Sequence, residues 1–286
     1  MTIQRLVSTK WVAENLNKVV LVDGSWHMPA SKRNPYQEFK QQHIRTARFF
    51  DVDRVADTTT TNLPHMLPSK GQFDEEVGKA LGISTEDHVV VYDSWGIGPA
   101  CRVYWTFRAF GHKKVSVLDG GLVKWIAEGR AVEGSQESIV NPKHYKAEAL
   151  DPNTVASYSQ MCEWVKNRNV QIVDARPAGR FDGRDPEPRQ GLSSGHMPHS
   201  INIPFNELID QHSKTLLPIH ELKALFKRKG LALDKPIVTT CGSGMTAAIV
   251  FFALEQVGVP YSLLTLYDGS WTEYASKPTS LIIHSK

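Results

Sequence analysis

The second half of this chain repeats the first. Val19-Val20-Leu21-Val22-Asp23 is echoed by Val170-Gln171-Ile172-Val173-Asp174, and His43-Ile44-Arg45-Thr46-Ala47 by His196-Met197-Pro198-His199-Ser200. Val89-Val90-Val91-Tyr92-Asp93 is echoed by Ile237-Val238-Thr239-Thr240-Cys241, and Leu118-Asp119-Gly120-Gly121 by Tyr267-Asp268-Gly269-Ser270. The order is kept, and the offset drifts only from 151 residues (Asp23 to Asp174) to 149 (Asp119 to Asp268). A period this long means two duplicated domains rather than a solenoid of short units. The expected domains are 1–135 and 156–286, with a linker at 136–155 in the polar stretch that carries Pro142 and Pro152.

Within each half, short β-branched runs alternate with helical patterns. In the second half, Val170–Asp174, Ile201–Ile203, Ile237–Thr240 and Leu263–Leu266 read as strands, and Tyr158–Lys166, Ile219–Lys229 and Met245–Val257 as helices. Such alternation predicts an α/β fold, each domain a mostly parallel sheet with helices on both faces. Ligands on such sheets bind beyond the carboxyl ends of the strands.

Charge and composition exclude several functions. With 33 basic and 30 acidic residues the formal charge is only +3, which argues against a nucleic-acid or membrane surface role. No apolar run reaches the ~18 residues of a membrane span, and the start lacks a signal-peptide core. The expected location is therefore the cytoplasm. Cys101, Cys162 and Cys241 are odd in number and far apart. They form neither a disulfide framework nor a zinc-ligand cluster, and neither metal nor cofactor is implied.

Cys241 stands out among the three. It ends the apolar run Pro236–Thr240, opens the turn Cys241-Gly242-Ser243-Gly244-Met245-Thr246, and is followed by the apolar stretch Ala247–Leu254. Strand, glycine-rich turn and helix coincide there. Backbone N–H groups converge at a helix N-terminus and favour negative charge, which suits thiolate, the reactive form of cysteine. The matching residue of the first half is Asp93, which cannot act as a sulfur nucleophile. The chemistry is therefore expected in the second half.

At these residues the chain resembles the two-domain rhodanese-like sulfurtransferases. The resemblance covers essentially the whole length. It rests on Cys241–Ala247, on Gly179-Arg180-Phe181 with Pro186-Glu187-Pro188-Arg189, on His65-Met66-Leu67-Pro68, and on Tyr267-Asp268-Gly269-Ser270-Trp271. It implies that Cys241 attacks the sulfur of a donor and carries it as a persulfide to an acceptor, which is cyanide or a thiol such as that of a thioredoxin. It also implies that Gly242, Ser243, Gly244, Met245 and Thr246 cradle the anion, and that Arg180 and Arg189 bind substrate. Ser243, His65 and Asp53 are matched to a proton relay. Relatives preferring thiosulfate tend to carry cations inside the loop, whereas Gly242 and Ser243 are neutral. A neutral loop with two arginines favours 3-mercaptopyruvate as donor, with thiosulfate the alternative.

Other readings compete. Phosphatases on a related scaffold need arginine at the sixth position after the cysteine, where this chain has Ala247. A non-catalytic binding module is the other alternative, because such domains often lack the cysteine. Cys101 and Cys162 read as small buried apolar groups. His43 and His196 recur in both halves, so a structural task is expected of them, and Trp125 and Trp271 read as core.

Overall fold

The computed structural model describes residues 3–60, 62–134 and 140–284. The first half contributes β1 (Leu6–Val7), β2 (Val20–Asp23), β3 (His43–Ile44), β4 (Arg48–Phe49), β5 (Val89–Tyr92), β6 (Val115–Leu118) and β7 (Val132–Glu133). The second contributes β8 (Val155–Ala156), β9 (Gln171–Asp174), β10 (Ile201–Asn202), β11 (Ile237–Thr240) and β12 (Leu264–Tyr267). Each half forms a five-stranded parallel sheet, in the order β1-β6-β5-β2-β4 and β8-β12-β11-β9-β10. The two orders correspond strand for strand, so the sequence repeat is a repeat of topology. β3 and β7 add an antiparallel pair to the first half.

Every residue of the central strands β5 and β11 is buried, which a strand achieves only when both sheet faces are covered. In the second half one cover is the helix Ala247–Gln256, buried at every position from Ala247 to Leu254. A helix apolar all round belongs inside a protein core or a membrane. Here it is core, and among the described residues no helix is long and apolar enough to cross a membrane. The opposite face of the second sheet holds Met161, Ile172, Met197, Val238, Tyr267 and Trp271, and the first sheet has a matching cluster with Leu21, Val90 and Trp125.

The recurring histidines are structural. His43 Nδ1 lies 2.7 Å from the Phe39 carbonyl and its ring stacks on Phe39 at 4.2 Å. His196 repeats this with Phe181, at 2.8 Å and 3.9 Å. Each ties the start of a short segment to the end of the preceding helix.

The compact units are not contiguous in sequence. Thr59–Met66, which carries His65, belongs to the second unit, and Asp210–Leu216 to the first. Of the expected linker 136–155, residues 136–139 lie outside the described residues, 140–150 fall in the first unit, and Val155 already opens β8. The helix expected from Met245 starts at Ala247, because Met245 and Thr246 complete the turn that curls ahead of it.

The first unit buries two carboxylates at the ends of neighbouring strands. Desolvation pushes Asp23 up to about 7, against the N–H of Ser25 at 2.9 Å, and the nearby Asp93 adds to the shift. A carboxyl group raised in the fold holds a proton that the unfolded chain releases. Stability therefore falls as pH rises from about 4 to about 7. Asp23→Asn keeps the acceptor and removes the charge. Denaturant unfolding should find this variant more stable than the wild type at pH 8 and indistinguishable from it at pH 4.

Candidate active site

Cys241 leaves the carboxyl end of β11, the central strand, at the point where the sheet order reverses. The turn after it curls back before the helix begins, with Gly244 at φ +76°, a conformation that favours glycine. Gly242 is glycine for a different reason. It has no positive φ, but a Cβ built on it would stand 3.1 Å from Arg180 Nη2 and 3.8 Å from Arg189 Nη1. Its missing side chain lets two guanidinium groups approach the loop. Cys241 is 1% exposed, and Ser243, Gly244 and Met245 are also buried.

The loop is held by the segment after β12. Ser270 Oγ accepts the N–H of Cys241 at 3.2 Å and of Gly244 at 2.9 Å, and donates to the Tyr267 carbonyl at 2.8 Å. Trp271 N donates to the Cys241 carbonyl at 2.9 Å. Thr272 N and Oγ1 donate to the Gly242 carbonyl at 3.0 and 2.6 Å. Ser270 adopts φ +49°, the left-handed region. Its counterpart Gly121 has φ +51°, and a Cβ there would meet the Asp93 carbonyl oxygen at 2.4 Å.

The first half shows what this loop skeleton does with an anion. The Asp93 carboxylate turns back into its own loop and accepts N–H groups from Trp95 at 2.7 Å, Gly96 at 2.9 Å and Ala100 at 2.8 Å. Gly98 contributes a further N–H. Burial raises the Asp93 pKa, and these donors oppose the rise. In the second half the shorter cysteine replaces the carboxylate, and Ser270 Oγ takes over two of the six loop N–H groups. The cradle is therefore smaller than the full ring of amides expected from sequence. Among the described residues, the N–H groups of Gly242, Ser243, Met245 and Thr246 have no protein acceptor.

Arg180 and Arg189 stand beside this loop in different states. Arg180 Nε donates to Glu187 Oε1 at 3.2 Å and its Nη2 to Glu187 Oε2. One edge of the guanidinium, Nε and Nη2, is thus occupied by Glu187, and Nη2 is also its atom nearest Gly242. Arg189 has no protein hydrogen-bond partner among the described residues. Burial lowers the Arg189 pKa from its ordinary value, while the sulfur of Cys241 opposes this. Glu187 also accepts from Arg176 Nη1 at 2.8 Å, and Arg176 Nη2 reaches Asp174 Oδ2 at 2.7 Å. Burial disfavours the Arg176 cation, but Asp174 and Glu187 outweigh it and raise its pKa. Arg176 lies over Trp271 at 4.1 Å, which joins the ion network to the clamp.

The expected relay residues belong to different compact units. His65 is buried in the second unit, at φ +65°. Asp53 is exposed in the first unit, where its Oδ2 accepts the indole N–H of Trp26 at 3.1 Å. Sequence reasoning gave no role to Ser270, Glu187 or Arg176. The pairing of Gly121 with Ser270 and of Asp93 with Cys241 in the repeat is the signal that could have found Ser270. Among the described residues no cluster of His, Cys, Asp and Glu could hold a metal ion.

A duplicated parallel fold, a cysteine on an amide-lined loop in one half and a carboxylate in its place in the other define a class of proteins. The chain belongs to the rhodanese-like domain family, which it matches over residues 8–128 and 157–277. It is 43% identical over 277 residues, 94% of this chain and 91% of the relative, to 3-mercaptopyruvate sulfurtransferase of Mus musculus. It is also 43% identical over 298 residues, 97% of this chain and 77% of the relative, to thiosulfate/3-mercaptopyruvate sulfurtransferase 1, mitochondrial, of Arabidopsis thaliana. The crystal structure of SseA, a 3-mercaptopyruvate sulfotransferase from Escherichia coli, superposes with a TM-score of 0.81 at 35% identity, covering 95% of this chain and 99% of that one.

Removing the Ser270 hydroxyl leaves two buried N–H groups without an acceptor. Ser270→Ala should lose about 1–3 kcal/mol in denaturant unfolding, the usual cost of stranding buried polar groups. It should also slow alkylation of Cys241 in a stopped-flow assay. Ser270→Gly should recover part of the stability, since glycine suits the positive φ.

Proposed function

We propose that this chain transfers sulfur from 3-mercaptopyruvate to a thiol or to cyanide by way of a persulfide on Cys241. The observation that carries this reading is the convergence of Arg180 and Arg189 on Gly242, next to the cysteine, around a loop whose own side chains are uncharged. Three features of the loop support the covalent step: a buried cysteine, four loop N–H groups with no protein acceptor among the described residues, and a homologous loop that holds a carboxylate through the same kind of N–H groups.

In the first half-reaction the Cys241 thiolate attacks the sulfur of the donor. An S–S bond forms and the donor C–S bond breaks. Its electron pair leaves on carbon as the pyruvate enolate, which takes up one proton to give pyruvate, and the donor's thiol proton is released, leaving the outer sulfur as the persulfide anion. The persulfide is held as an anion by the loop amides, which need not reorganise to receive it. In the second half-reaction an acceptor thiolate attacks the outer sulfur, the S–S bond breaks, and the Cys241 thiolate is restored. Arg189 holds the donor carboxylate, and Arg180 directs an N–H to the keto oxygen. Ser243 and His65 supply the enolate proton, with Asp53 the third residue assigned to this relay. A small thiol protein of the thioredoxin kind fits as acceptor, because its nucleophile is also a thiolate.

Protein given excess mercaptopyruvate without acceptor should gain roughly 32 Da on the Cys241 peptide, the mass of one sulfur and the mark of a covalent intermediate. Cys241→Ser should keep the fold and lose turnover, and sulfur transfer by that variant would sink the proposal. Steady-state rates with the two donors decide between them. Higher kcat/KM with thiosulfate would replace the donor assignment and leave the persulfide standing. His65→Ala should lower kcat by about a hundredfold, the scale of one acid–base group, with little change in KM.

A further inference from the structure

We infer that Glu187 determines which class of anionic donor this site accepts, by offsetting one of the two guanidinium charges beside the loop. The inference deepens the function proposed above and rests on it for the identity of the donor.

The argument starts from a chain of four ions. Asp174, Arg176, Glu187 and Arg180 follow one another through hydrogen bonds, and all lie in the second unit. Glu187 is the link that matters for the donor. Its side chain is 2% exposed, while that of Arg180 is 20% exposed and reaches the loop at Gly242. A carboxylate this buried is screened little by water or salt, so its field extends to the loop. Asp174 pairs with Arg176 and Glu187 with Arg180. Arg189 is left as the one guanidinium at the loop with no carboxylate bonded to it among the described residues.

These five side chains, three cations and two anions, therefore carry one net positive charge. Cys241 is common to every donor and drops out of the comparison. A keto acid with one carboxylate matches this charge. Its carboxylate takes Arg189, and its neutral keto oxygen needs a hydrogen-bond donor rather than a second free cation. Arg180, tied to Glu187, offers that. A doubly charged inorganic donor would bring one negative charge into the site without a counterion, and burying an unpaired charge is costly. The chain thus sets donor class with a residue outside the loop. Nothing in the local sequence marks Glu187 as buried, since Pro186-Glu187-Pro188 reads as an exposed turn.

The test compares anions of equal shape and unequal charge. Oxamate and oxalate are nearly isosteric, with one and two negative charges at pH 7.5. As competitive inhibitors of the wild-type enzyme, oxamate should bind about tenfold tighter than oxalate. In Glu187→Gln, oxalate should gain about tenfold over oxamate, and kcat/KM for thiosulfate should rise about tenfold relative to mercaptopyruvate, the scale of one added charge in a partly screened site. Glu187→Asp keeps the charge, so its ratios should stay near the wild-type values even where both rates fall. A merely structural role would lower both donors together and leave the ratios unmoved, and that result overturns the inference. Equal affinity of the wild type for the two anions, or a preference for oxalate, overturns it as well, and this measurement holds whether or not Glu187→Gln folds. Calorimetric titration of Cys241→Ser with the two anions gives the same ratio without turnover. Failure of mercaptopyruvate as a donor is therefore told apart from failure of the charge argument.

Discussion

The site depends on the hydrogen-bonded clamp between the loop after β11 and the segment after β12. Ser270 Oγ, Trp271 N and Thr272 together bond to Cys241, Gly242 and Gly244 from one side. A loop of small residues has little packing of its own, and its amides could point in many directions. The clamp removes that freedom, and strands β11 and β12, paired in parallel, fix the distance across which it acts. An amide array aimed in advance can hold a negative charge without reorganising.

Duplication supplied the second form of the same device. In the first half Asp93 fills its own cradle with a carboxylate, and Gly121 stands where the second half has Ser270. The two exchanges are physically linked. A carboxylate that occupies the loop amides leaves no task for a hydroxyl, and a Cβ at Gly121 would strike the Asp93 carbonyl. With cysteine in place of aspartate, the loop needs another acceptor to hold its shape, and the Ser270 hydroxyl provides it without adding charge. In one half the loop amides are taken by the protein's own carboxylate, and in the other four of them have no protein acceptor among the described residues.

Much of this was legible in the chain. The repeat gave two domains with one topology, because a strand buried on both faces needs an unbroken β-branched run, and Val89–Tyr92 and Ile237–Thr240 supply it. The position of Cys241 followed from strand, glycine turn and apolar helix in succession. His43 and His196 were rightly assigned to structure, since they recur where the cysteine does not. The edges were less legible. β8 and β10 have two residues each, too few for a periodic pattern to form. Ser270 and Glu187 escaped notice because neither residue type announces its partner. A serine in a turn and a glutamate between prolines are ordinary surface features until the fold brings a loop amide or a guanidinium against them.

The sequence by itself determined the duplicated α/β architecture and the cysteine-bearing glycine turn at the end of its central strand. These are local facts, written in periodicity, in turn chemistry and in residue type. Tertiary structure alone decided how many loop amides remain available to an anion and how much positive charge faces them. Both depend on side chains 7 to 29 residues away along the chain, Glu187 from Arg180 and Ser270 from Cys241, which only the fold brings together. Hydrogen bonds and ion pairs act through space over a few ångströms, so separation along the chain carries no record of them.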